Sequence, residues 1–330
     1  MKTISLLVAA LLALGAVSAA VAQTPAVENN TWTSGAPMPT PVWGPAGAGV
    51  IEGEIYVVGG VSSAGTPIAD TQIYNPATNT WRTGVPLPTT LQGGSGAVVK
   101  SILYILGGNE NSEVCNTESI TSAVWAYDPK TNAWSSQSPL PIATCDAGIA
   151  VENDIIYVIG GVDANDNRLA TVQSYNPADD TWADEAPLLN GKSEPSVGRV
   201  GTTIVAADGF TASGWSTDNE GYDASTNAWT SLTPDTKARN WACAGGIGAK
   251  LYAAGGQRQG DVALSLTESF TVAKNTWNKL APMPHPAMAS AAAVHRGRLY
   301  CFGGTSTYKG MPLDNVQIHT PRFHHNHRIF

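Results

Sequence analysis

Ile55-Tyr56-Val57-Val58-Gly59-Gly60 is an apolar run closed by two glycines, and it returns along the chain with changed letters and an almost fixed period. The copies are Leu103-Tyr104-Ile105-Leu106-Gly107-Gly108, Ile155-Ile156-Tyr157-Val158-Ile159-Gly160-Gly161, Leu251-Tyr252-Ala253-Ala254-Gly255-Gly256 and Leu299-Tyr300-Cys301-Phe302-Gly303-Gly304, with a worn copy at Ile204-Val205-Ala206-Ala207-Asp208-Gly209. First glycines, or Asp208, are separated by 48, 53, 48, 47 and 48 residues, the range of repeats that each form one propeller blade. Six copies imply six blades.

Working outward within a unit, an aromatic follows the glycines and a tryptophan follows that aromatic by seven: Tyr74/Trp81, Tyr127/Trp134, Tyr175/Trp182, Tyr222/Trp229 and Phe270/Trp277. Between them lie segments such as Asn75-Pro76-Ala77-Thr78-Asn79, whose residue types preset the dihedrals of a tight turn. Each unit therefore reads as four antiparallel strands, here a to d, with no helical periodicity. Strand a is rich in small residues, as in Ala46-Gly47-Ala48-Gly49-Val50, which suits the crowded position nearest a propeller axis.

The double glycine with its spaced Tyr and Trp resembles the kelch repeat, from Trp32 to His319. The departures are Asp208 for the first glycine of unit four, Phe270 for Tyr in unit five and His319 at the Tyr position of unit six. The resemblance implies an all-β, six-bladed β-propeller but no chemistry, because kelch propellers serve as partner-binding scaffolds, sugar mutarotases and copper oxidases. Unit six has no tryptophan seven residues after His319, whereas Asn30-Thr31-Trp32-Thr33-Ser34-Gly35 matches Asn79-Thr80-Trp81-Arg82-Thr83-Gly84. The N-terminal strand is expected to complete the last blade and so remove exposed sheet edges. The competing reading draws that strand from Arg322 to Phe330.

Residues 1–22 read as a secretory leader: Lys2, an apolar stretch from Ile4 to Val17, and Ala20-Val21-Ala22 before Gln23. A single-span anchor is the competing reading, weakened by Gly15 and Ser18. The expected organisation is a leader (1–22), one propeller (28–322) and a tail (323–330), in a secreted or periplasmic monomer with no membrane span once the leader is removed. Charged residues make up 13% of the chain and the formal net charge is -8, which leaves no basic face for nucleic acid.

Four cysteines in an exported chain allow three full pairings. Cys115 falls in the long b–c loop of blade two and Cys145 in the loop entering blade three, so a Cys115–Cys145 disulfide is expected over two free thiols. Cys243 and Cys301 occupy slots that other units fill with Ser95 or Val57, and they read as buried free cysteines. All six histidines lie in the last 46 residues, and His324-His325-Asn326-His327 reads as a frayed end before a metal site. No metal site, phosphate loop, nucleophile triad or other cofactor motif is legible.

The eleventh and twelfth residues after each repeat tryptophan differ between units: Trp43/Gly44, Gln92/Gly93, Cys145/Asp146, Ser193/Glu194, Asn240/Trp241 and Met288/Ala289. These positions enter strand a at the mouth of the axis. Trp43, Gln92, Asp146, Glu194, Arg239 and Trp241 are accordingly the candidate ligand-binding residues, since flat aromatics beside polar groups suit a sugar ring or a polar peptide. The alternative is that the tryptophans merely plug the opening. The reading that asks least is a non-catalytic module binding a protein or glycan on its loop face. A sugar mutarotase similar to periplasmic sialic acid epimerases is the alternative, and it needs acid–base groups plus a cation, for which Arg239 and Lys192 stand nearest in sequence.

Overall fold

Each repeat folds as the four-stranded antiparallel sheet its punctuation demands. The computed structural model describes residues 30–113, 115 and 119–322; the expected leader at 1–22 and the tail at 323–330 lie outside them. Blade one runs Gly47–Ile51, Glu54–Val58, Thr71–Asn75 and Thr80–Thr83, in spatial order a-b-c-d. Five further sheets share that order, giving six blades. Among the described residues the only helical segment is a single turn at Val272–Lys274, and no helix is long and apolar enough to cross a membrane.

The last blade takes its fourth strand from the N-terminus. Thr31–Ser34 pairs with Val316–Thr320, with Trp32 opposite His319 and Ser34 opposite Gln317. Blades four and five each carry an extra two-stranded hairpin in the b–c loop, Phe210–Thr211 with Gly214–Trp215 and Gln257–Arg258 with Val262–Ala263.

Strands a line the axis, and close approach between blades requires their glycines, through backbone contact at Gly47 and Gly96. A Cβ on Gly47 would lie 2.7 Å from Gly96 Cα, and one on Gly96 would lie 2.6 Å from Ala48 N. The first glycine of each pair takes a left-handed backbone, φ +62° at Gly59, and a Cβ there would run into the Leu91 carbonyl.

Blades are stitched together at their outer edge by the repeat tryptophans. Each indole N–H donates to a carbonyl of the preceding blade: Trp81 to Ala36, Trp134 to Val85, Trp182 to Ser138, Trp229 to Ala186, Trp277 to Thr233 and Trp32 to Ala281. The Tyr position acts with them. Tyr74, Tyr127 and Tyr222 donate their hydroxyls to Asn79, Asn132 and Asn227, and Tyr175 to Asp180. In blade six, His319 Nε2 faces Asn30 Oδ1 at 3.0 Å, so the closing strand rebuilds the same triad with an imidazole for the phenol.

Two disulfides are present. Cys115–Cys145 joins the blade-two loop to the entry of blade three, as expected. Cys243 and Cys301 are also bonded, with Cα atoms 5.8 Å apart, which corrects the reading of two free thiols. Comparing slots within single blades hides the reason: this slot of strand a looks across to the next blade, as when Ser95 Oγ donates to the Ala147 carbonyl. Cys243 in strand a of blade five thus meets Cys301 in strand b of blade six.

Candidate functional site

The twelfth residues after the repeat tryptophans form a closed circle around the axis. The amide of Gly44 donates to the carbonyl of Ala289, Gly93 to Gly44, Asp146 to Gly93, Glu194 to Asp146, Trp241 to Glu194 and Ala289 to Trp241, at 2.7–3.3 Å. All six are left-handed, with φ between +52° and +59°. Glycine takes this conformation freely, whereas Asp146, Glu194, Trp241 and Ala289 hold it at a cost of about 1–2 kcal/mol each. The eleventh residues bridge outward to the residue after the double glycine, as in Trp43 to Val61, Ser193 to Phe210 and Asn240 to Gln257.

Above this ring the loop face opens into a cavity of about 310 Å³. Five of the six expected residues line it: Trp43, Gln92, Asp146, Glu194 and Trp241. Trp43 is 5% exposed and packs with Val61 and Ala289, so it forms the apolar floor as well as a wall. The b–c loops supply lining that sequence reasoning missed, including Arg168, Phe210, Trp215 and Tyr308. The Tyr308 ring stacks on Trp241, 15° from parallel with centroids 5.9 Å apart. Arg168 lies over the Phe210 ring and pairs with Asp166 at 2.7 Å. The signal available for these residues was only that their loops share the face of the axial mouth; loop length and content vary too much for spacing to align them.

Arg239 is not in the cavity. It is fully buried and bonds Asp208, Asp235 and Glu268 at 3.1, 2.7 and 2.9 Å. It is the tenth residue after its tryptophan, and the equivalents Val42, Leu91 and Ala287 are buried too, because the tenth position points into the blade. Asp235 stands where other units bury Met38, Leu87, Leu140, Leu188 and Met283, Asp208 where they have glycine, and Glu268 where they have Gln72, Gln173 and Gln317. Four polar replacements in and beside blade four therefore compensate one another. Lys192, the other candidate cation, is likewise buried and pairs with Glu220 at 2.8 Å.

The cavity's two inner carboxyls are perturbed. Burial, and next the charge of Glu194, hold Asp146 well above the ordinary carboxylate range, opposed by the Trp241 indole and by Arg168. Glu194 is raised by burial against the pull of Asn240, whose Nδ2 donates to Glu194 Oε2 at 2.7 Å. Asp146 Oδ2 lies 3.1 Å from Cys115 Sγ. Cys115, Cys145 and Asp146 converge closely enough to suggest a metal, but the disulfide removes both thiolates as ligands.

Six kelch-punctuated sheets closed around an axis, with one variable loop face, define a kelch-type β-propeller. The KLHDC2/KLHL20/DRC7 kelch-repeats domain matches residues 25–214, over half of the chain, and the chain belongs to the kelch-repeat family. It is similar to Kelch-like protein 36 of Bos taurus, 27% identical over 237 residues that cover 68% of this chain and 37% of the relative. It is also similar to Kelch-like protein terF of Aspergillus terreus, 25% identical over 285 residues, 83% and 52% of the two chains. The chain thus spans about a third to a half of the length of these curated relatives. The solved structure of YjhT superposes with a TM-score of 0.73 at 17% identity, covering 86% of this chain and 96% of that one, which shows a shared fold alone.

Proposed function

We propose that this protein is an exported, non-catalytic interaction module that binds a protein or glycan partner at its loop face, as a monomer. The observation that carries this is convergence: side chains that vary between blades, Trp43, Gln92, Asp146, Glu194 and Trp241, meet in one cavity. The other end of the axis is walled by repeating Ala, Gly and Val from strands a. A volume near 310 Å³ suits one sugar ring or one long side chain, at the small end of ligand pockets. Export is supported by the leader-like residues 1–22 and by two disulfides, which persist in an oxidising compartment.

The test is a thermal-shift screen against sugars, sugar acids, envelope fragments and candidate partner peptides, repeated on Trp43→Ala and Trp241→Ala. A ligand at 100 times its dissociation constant stabilises by about 2.7 kcal/mol. A hit insensitive to both variants but abolished by changes in the opposite turns, such as Ala77-Thr78-Asn79, would overturn the loop-face assignment.

The mutarotase reading draws on one observation, the raised carboxyls of Asp146 and Glu194. A neutral carboxyl would protonate the ring oxygen while a carboxylate takes the anomeric hydroxyl proton. Against an anionic sugar stands the burial of Arg239 and Lys192, which leaves Arg168 as the one guanidinium in the cavity among the described residues. Following freshly dissolved anomers by NMR separates enzyme from binder.

A further inference from the structure

The ligand group that enters the cavity can be argued from its charge, its rings and its unused hydrogen-bonding capacity. Among the described residues, five carboxylates line it, those of Glu113, Asp146, Asp166, Glu194 and Asp261, against the single guanidinium of Arg168. That guanidinium is already engaged by Asp166, and the one nearby ammonium, Lys309, pairs with Glu113 at 3.4 Å. Asp146 and Glu194 sit on adjacent blades with no cation bonded to either among the described residues.

Asn240 provides an independent sign of a missing donor. It is 3% exposed and lines the cavity. Its Nδ2 must face Glu194, because a carboxylate accepts and does not donate, which leaves Oδ1 as the acceptor. That oxygen is buried and has no partner among the described residues. A buried acceptor left unmade is costly, and this one belongs to the amide that bonds Glu194.

The walls agree with the floor. Trp43, Trp241 and Tyr308 line the cavity, and aromatic rings attract ammonium and guanidinium groups, as Lys309 over the Tyr308 ring at 5.7 Å already shows. An anionic ligand would meet repulsion from three carboxylates, Asp146, Glu194 and Asp261, that no ion pair compensates among the described residues. A neutral one would leave the Asp146–Glu194 pair without a counter-charge in a partly dehydrated site.

We propose that the group bound in this cavity is a protonated primary amine, held by Asp146, Glu194 and the free Asn240 oxygen between the Trp43 and Trp241 rings. An ammonium has three donors and no acceptor, matching three acceptors drawn from blades three, four and five. The inference rests on the loop-face reading and narrows it. Both a lysine side chain of a protein and the amino group of a hexosamine carry this chemistry. Burial raises both carboxyls, with added repulsion from Glu194 at Asp146 and from Asp166 at Glu194, and a cation between them relieves it.

The full-length, disulfide-bonded protein is titrated calorimetrically with glucosamine, N-acetylglucosamine, glucuronate, Nα-acetyl-lysine amide and its Nε-acetylated form. Either amine is expected to bind roughly tenfold or more tighter than its acetylated counterpart. Binding by glucosamine assigns a glycan source, and binding by the lysine amide a protein source. Asp146→Asn, which suits left-handed backbone, and Asn240→Leu should each weaken the amine while wild-type melting shows the fold is kept; should one variant melt early, the other and Glu194→Gln carry the comparison. Equal binding of amine and acetylated forms, tighter binding of glucuronate, or no amine binding at all overturns the amine inference. The loop-face reading survives those results if any hit remains sensitive to Trp43→Ala, and falls separately if none does.

Discussion

The indole nitrogen of Trp32 donates to the carbonyl of Ala281 at 2.9 Å, across 249 residues of sequence. It is the sixth in a circle of equivalent bonds, and it joins the closing strand of blade six to blade five. Without the closing strand Thr31–Ser34, the strand Val316–Thr320 becomes an open edge.

Trp32→Ala should therefore destabilise the whole ring. The side chain is half-buried, so the loss is expected near the lower end for a core tryptophan, about 3 kcal/mol. A chain beginning at Thr40, which lacks the entire strand, should lose more. Denaturant melts of both against Trp277→Ala, the same substitution inside the repeat, check this; unchanged melting of the shortened chain would mean that closure contributes nothing.

His319 should make the protein acid-sensitive. It is fully buried against Trp32 and Tyr252, its Nδ1 has no partner among the described residues, and burial lowers its pKa from 6.5 to about 4. A base whose folded pKa is depressed supports the fold above the unfolded value, and that support is lost as pH falls from 6.5 toward 4, on the order of 3 kcal/mol. The raised carboxyls of Asp146, Glu194 and Asp208 act in the opposite sense, since their contribution falls as pH rises above the ordinary carboxylate range. His319→Tyr restores the residue of blades one to four and should flatten the loss between pH 6.5 and 4, measured by urea melts across that window.

Arg239→Met should cost about 3–5 kcal/mol, because it strands the buried Asp208, Asp235 and Glu268. Reverting all four positions to what other blades carry, Asp208→Gly, Asp235→Leu, Arg239→Leu and Glu268→Gln, should recover most of that stability, as apolar replacement of buried ion clusters often does. A quadruple variant as unstable as the single one would show that the charges do more than balance one another.

Glu194→Gly should raise stability by about 1 kcal/mol while weakening whatever the cavity binds. The ring position holds φ +54°, which glycine takes without strain. Thermal melts with and without ligand separate the two effects. Lower stability in the variant would mean that the Asn240–Glu194 bond outweighs the backbone term.

The disulfides should reduce in a fixed order. Cys115 is half-buried at the cavity, whereas Cys243 and Cys301 are 1% and 2% exposed. Mild reductant with mass-tagged alkylation is expected to label Cys115 and Cys145 first. Later loss of Cys243–Cys301 should remove about 2–4 kcal/mol.

How much was legible follows from which distances are local. Within a blade, strand alternation and the seven-residue step from Tyr175 to Trp182 are set by hairpin geometry, so the sequence alone determined the sheet order, the blade count and the match of Asn30-Thr31-Trp32 to a missing strand. It also determined that the variable residues before strand a face the axis, which brought Trp43, Gln92, Asp146, Glu194 and Trp241 together. Only the tertiary structure decided that Arg239, one residue from that set, turns inward: a shift of one position between the tenth and eleventh residues reverses the side chain's face, and the left-handed ring at the twelfth fixes the register. Packing between blades likewise brought Cys243 to Cys301, and loop paths delivered Arg168 and Tyr308 to the cavity. Those contacts join parts of the chain whose separation no repeat spacing encodes.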